Sequence, residues 1–120
     1  MARESVTTDK IAAPVGPFSP AVRAGEFVYL SGQVAQDPTT GRLIEGDVAA
    51  QTALIFKNVE AVLAAARKTF ADVIKASVYL TDMRDFAAMN AVYGRHFEPP
   101  YPAVASLPLG AAVEIDIVAQ

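Results

Sequence analysis

Glu114 is the residue in this chain best placed to do chemistry. It interrupts the apolar run Leu109-Gly110-Ala111-Ala112-Val113-Glu114-Ile115-Asp116-Ile117-Val118. Strand alternation puts Val113, Ile115 and Ile117 on one face and Glu114, Asp116 and Val118 on the other. A carboxylate in the middle of a strand is costly to bury without partners, and burial that raises its pKa makes it useful in acid–base work. The same pattern also fits a wet sheet face on which Glu114 is an ordinary surface residue. Other chemistries are closed by composition. The chain has no Cys, and His96 is its single His. Disulfides, thiol nucleophiles, thiolate metal sites and His clusters are therefore excluded, and no metal site is expected.

A chain of 120 residues, 52% of them hydrophobic and 19% charged, has the size and composition of one folded domain spanning 1–120. No apolar run reaches membrane-spanning length, so no membrane partner is expected. The start, Met1-Ala2-Arg3-Glu4-Ser5-Val6, carries no hydrophobic signal region, which gives an expectation of a cytoplasmic protein. The net charge of −3 and the lack of a Lys/Arg stripe argue against a nucleic-acid surface.

The elements that must position Glu114 can be read in order. Ser5–Asp9 is expected as an N-terminal strand. Val15-Gly16-Pro17-Phe18-Ser19-Pro20 is a turn-rich loop, because Pro cannot donate to a ladder. Glu26–Leu30 reads as a strand that ends at Ser31-Gly32-Gln33, and Gln36–Gly41 as a surface turn. Asp47 is a good N-cap for a long helix whose inner stripe is Val48, Ile55, Val59, Val62 and Ala66. Val73–Leu80 alternates as a second strand, with Ile74, Ala76, Val78 and Leu80 on one side. Asp82 is expected to cap a second helix with the stripe Phe86, Met89, Tyr93 and Phe97, stopped by Glu98-Pro99-Pro100. Asn90 sits at the edge of that stripe. This order predicts an α+β fold, a mixed sheet with both helices on one face. The opposite face would hold Phe27 or Tyr29, Tyr79 and Val118, a patch that monomers rarely expose, so neighbouring subunits are expected to cover it.

Four segments carry a resemblance. Gly16-Pro17-Phe18-Ser19-Pro20-Ala21-Val22, Leu30-Ser31-Gly32-Gln33-Val34, Phe86-Ala87-Ala88-Met89-Asn90-Ala91-Val92-Tyr93 and Leu107-Pro108-Leu109-Gly110-Ala111-Ala112-Val113-Glu114-Ile115 resemble, in order and in spacing, the RidA (YjgF/YER-type) family. The resemblance implies a chorismate-mutase-like α+β fold and a homotrimer with sites in clefts between subunits. It implies hydrolysis of reactive 2-enamine and 2-imine acids to 2-keto acids and ammonia, with no metal or cofactor. The ligand would be a small imine, enamine or keto acid. By the same resemblance Glu114 would hold and polarise the attacking water. Phe18, where the family often has Tyr, would wall the pocket, while Ser31, Gly32 and Asn90 would bind the ligand. Read without the resemblance, Phe18 fits a core aromatic, Ser31-Gly32 a strand-end turn and Asn90 a helix-edge amide bonded within its own chain.

One departure bears on activity. Deaminases of the family carry an Arg shortly after the Pro-Ala that follows the second helix, and it grips the substrate carboxylate. Here Tyr101-Pro102-Ala103 runs straight into Val104-Ala105-Ser106, with no Arg. The segment is about five residues short, about 17 Å of extended chain. Val104–Leu107 can pair in a shifted register or form a loop, and an odd deletion swaps the faces of a strand. The alternative to a deaminase, with activity altered or lost, is a non-catalytic trimer that binds a small metabolite or another protein. Arg23 and Arg95, the candidate replacements, read as solvated charges, and His96 as a partner of a helix C-terminus.

Overall fold

The computed structural model describes residues 3–108 and 112–120. The strands are β1 (Glu4–Val6), β2 (Ala21–Ala24), β3 (Phe27–Gln33), β4 (Val73–Leu80), β5 (Ala103–Pro108) and β6 (Val113–Ala119). The helices are α1 (Val48–Ala65) and α2 (Phe86–Tyr93). The sheet runs β1-β2-β3-β6-β4-β5. Only β4 and β5 pair in parallel, because α2 crosses over between them; the other pairs are antiparallel. The mixed sheet of the sequence reading is thus present.

β6 lies in mid-sheet between β3 and β4. Val113, Ile115, Ile117 and Ala119 are buried on it, and Glu114, Asp116 and Val118 are half-buried between them. The buried set faces the helices. α1 lays Val48, Ile55, Phe56, Val59, Val62 and Leu63 on this face, and Asp47 Oδ1 accepts from Ala50 N at 2.9 Å as the expected N-cap. By length and composition alone α1 is apolar enough to cross a bilayer. Its apolar stripe is instead part of the core. Met89, Val92, Tyr93 and Phe97 add the second helix to that core.

Several elements depart from the sequence reading. β1 covers Glu4–Val6 instead of Ser5–Asp9. β2 was not anticipated; it forms a hairpin with β3 through Gly25 at φ 61°, a left-handed position that glycine takes without strain. Asp82 caps a single 3₁₀ turn, Met83–Asp85, and α2 itself begins at Phe86. As the first residue of that short helix, Phe86 stays 40% exposed and is not part of the buried stripe. Ile74 is 42% exposed rather than inward, because β4 gains a residue against β6 between Val73 and Lys75. Beyond Ala103 the chain forms a strand, not a loop, with Lys75 opposite Ala103 and Leu80 opposite Pro108. Arg23 is no free surface charge: its guanidinium donates to the carbonyl of Ala66 and closes the end of α1. His96 stacks on Phe56 with centroids 4.5 Å apart, so it belongs to an aromatic cluster.

Candidate functional site

The site begins at a defect in the sheet. Leu30 stands opposite Ile117 and Gln33 opposite Ile115, so β3 spends three residues where β6 spends two. The extra residue makes a bulge at Ser31-Gly32, and bulges re-aim the side chains and backbone beside them. Glu114 follows one residue past this stretch of β6, next to Ile115, the partner of Gln33, and its side chain reaches back to the bulge. A Cβ built on Gly32 would stand 2.6 Å from Glu114 Oε2 and 3.1 Å from Cδ. The carboxylate therefore rests on the bare backbone of Gly32, in space that only glycine leaves open.

The two outer-face carboxylates of β6 differ in their partners. Tyr79 donates its phenol O–H to Asp116 Oδ2 at 3.3 Å. Glu114 lies opposite Tyr79 in the β4 register, yet makes no hydrogen bond or ion pair among the described residues. It is half-buried, with its oxygens uncommitted.

Ser31 is tied down at both ends. Its N–H donates to Pro20 O at 3.0 Å and its hydroxyl to Ser19 O at 2.6 Å. The hydroxyl proton is thereby used, which leaves the oxygen able to act only as an acceptor toward any further group. Ser5 Oγ donates to Ser19 Oγ at 2.9 Å, which links β1 to the same loop. The loop turns tightly at Gly16-Pro17-Phe18, with Phe18 N donating to Gly16 O at 2.8 Å. This turn holds the Phe18 ring out at 68% exposure, so it is not a core aromatic. Phe18, Pro14, Pro20, Ser31, Gly32 and Gln33 line a hollow of about 250 Å³.

Phe18, Ser31 and Gly32 thus share one hollow, and Glu114 touches its Gly32 wall. Asn90 does not join them within one chain. It is exposed on α2, and α2 packs with α1 on the side of the sheet opposite Glu114. The sequence reading missed Tyr79, whose alternation placed it on the outer face but gave no sign of its bond to Asp116.

Known proteins resemble this chain over nearly its whole length. The family described as Endoribonuclease L-PSP matches residues 8–120. A Bos taurus protein named 2-iminobutanoate/2-iminopropanoate deaminase is 39% identical over 124 residues, with 99% of this chain and 90% of its own length covered. The crystal structure of RidA from an Antarctic Psychrobacter superposes with a TM-score of 0.89 at 42% identity, covering 98% of each chain. That of E. coli TdcF with bound serine gives 0.88 at 32% identity, covering 97% of each.

Proposed function

Because this chain belongs to the RidA (YjgF) family, we propose that it hydrolyses small 2-imino acids and their enamine tautomers to 2-keto acids and ammonia. One observation carries the reading. An unpaired carboxylate, Glu114, rests on a glycine at a sheet bulge, beside a hollow walled by Phe18 and floored by Ser31.

The chemistry asks little of the protein. A protonated imine carbon is already electrophilic, so positioning a water and moving its proton is enough. Glu114 takes a proton from water as the water oxygen bonds to C2 of the iminium. The product is a tetrahedral carbinolamine. Glu114 returns the proton to nitrogen, the C–N bond breaks, and ammonia leaves as the C2 oxygen becomes the ketone and releases its proton. An enamine first takes a proton on C3 to become the iminium. Ser31 Oγ accepts from the substrate N–H, since its own proton lies on Ser19 O.

Asn90 takes part only through assembly. We place it in the cleft of a neighbouring copy in a homotrimer, with each site between subunits. Support comes from the outer sheet face, where Phe27 and Tyr29 are 37% and 46% exposed.

The test is ammonia release from 2-iminobutanoate generated in situ. Glu114→Gln should lower the rate about 100-fold or more with an unchanged melting temperature, the span typical of a lost general acid–base group. A wild-type rate no faster than the spontaneous reaction overturns the reading. The solved complex of E. coli TdcF with serine favours a second reading, a trimer that binds a small metabolite without turning it over. A melting shift with 2-ketobutyrate and no turnover would establish that instead.

A further inference from the structure

We infer that Arg3 is the residue that holds the ligand's carboxylate. This inference rests on the deaminase reading for its ligand, a 2-imino or 2-keto acid. Such a ligand brings a carboxylate, and the hollow beside Glu114 has no cation in its lining. The chain offers none from the later strands either, since no Lys or Arg occurs between His96 and Gln120. A second hollow of about 340 Å³ adjoins the first and shares Phe18, Ser19 and Ser31 with it. Arg3 lines this second hollow together with Val22 and Tyr29.

The sheet register explains that placement. Ser5 stands opposite Val22, Val22 opposite Tyr29, and Tyr29 opposite Val118. Val118 shares the outer face with Glu114, so Ser5 does as well. Arg3, two residues before Ser5, continues along that side just outside β1. The bond from Ser5 to Ser19 fixes this end of the chain against the Phe18 loop. The guanidinium makes no hydrogen bond or ion pair among the described residues, and it is exposed. Arg23 and Lys75 are worse placed. Arg23 is engaged with Ala66 O on the helix side. Lys75 is opposite Val118, four residues along β4 from Tyr79, the partner of Glu114. A planar guanidinium beside a phenyl wall and two hydroxyl groups suits a carboxylate in a bidentate grip.

The test compares wild type with Arg3→Gln, Arg3→Lys and Lys75→Gln. Turnover of 2-iminobutanoate is measured alongside the affinity for 2-ketobutyrate and for its uncharged amide. Arg3→Gln should raise KM about tenfold, with kcat changed less than about twofold, and should abolish the preference for acid over amide. Arg3→Lys should fall between Arg3→Gln and wild type, and Lys75→Gln should match wild type. Equal weakening of acid and amide binding by Arg3→Gln, or loss of the acid preference in Lys75→Gln alone, overturns the inference. Unchanged KM in Arg3→Gln while Glu114→Gln is inactive also overturns it, and leaves the deaminase reading intact. Arg3-dependent binding of 2-ketobutyrate by a wild type without turnover sustains this inference and removes the deaminase reading.

Discussion

The contact between Glu114 and Gly32 allows the proposed catalytic role of Glu114 to be tested apart from stability. A methyl group at position 32 would meet the far end of a flexible side chain, so the carboxylate would swing aside while the fold stays intact. Gly32→Ala should therefore cut imine hydrolysis at least about tenfold, because small displacements of a catalytic group are expensive, with little change in melting temperature. Steady-state kinetics beside a thermal melt checks this. Unchanged activity would mean that the position of the carboxylate does not matter. At this scale the sequence was informative about Glu114, since strict alternation around it was visible. The exposure of Phe18 was not. Whether an aromatic after Gly-Pro turns inward depends on a hydrogen bond from Phe18 N to Gly16 O, and that bond has no composition signal.

At the scale of elements, local rules succeed where one interaction decides the outcome. Asp47 caps α1, and the long stripe of α1 is buried as periodicity requires. They fail where a partner strand decides. The extra residue that turns Ile74 outward exists only in the register between β4 and β6, and β5 is a strand because β4 offers it a free edge. His96 is a similar case. A His near a helix end suggests a charged partner for the dipole, but the ring is sandwiched by Phe56 and Phe70 at 4.5 and 5.1 Å. Burial holds its pKa below the usual imidazole value, with Arg95 acting in the same direction and Glu60 against it. The unfolded chain then binds a proton that the folded one resists. Stability should be full above about pH 6.5 and should decline as pH falls from there toward the lower folded-state value. Melting temperatures of wild type and His96→Phe, measured from pH 7.5 to 5.0, should diverge, with the wild type losing more. Parallel curves would assign the acid loss to other groups.

The whole molecule is a two-layer body with one layer unfinished. Helices cover the face that carries Val113, Ile115 and Ile117. The other face carries Phe27, Tyr29 and Val118 beside the candidate site, with Phe27 and Tyr29 well exposed and their rings 6.4 Å apart. A single chain has no third layer to cover these aromatics, and Asn90 lies on the far side of the sheet from Glu114. The proposed homotrimer would meet both, with a neighbouring copy covering the aromatics and bringing its own groups to the edge of the hollow. Equilibrium sedimentation at micromolar concentration should give about three times the 12.7 kDa chain mass. Phe27→Glu places a charge on that exposed face without touching the inner core or either hollow, so it should shift the population to monomer while the chain still folds. If the sites lie between copies, imine hydrolysis should fall in step with the trimer fraction as that variant is diluted. Full activity in a monomeric Phe27→Glu would place the complete site within one chain and leave Asn90 without a part in it.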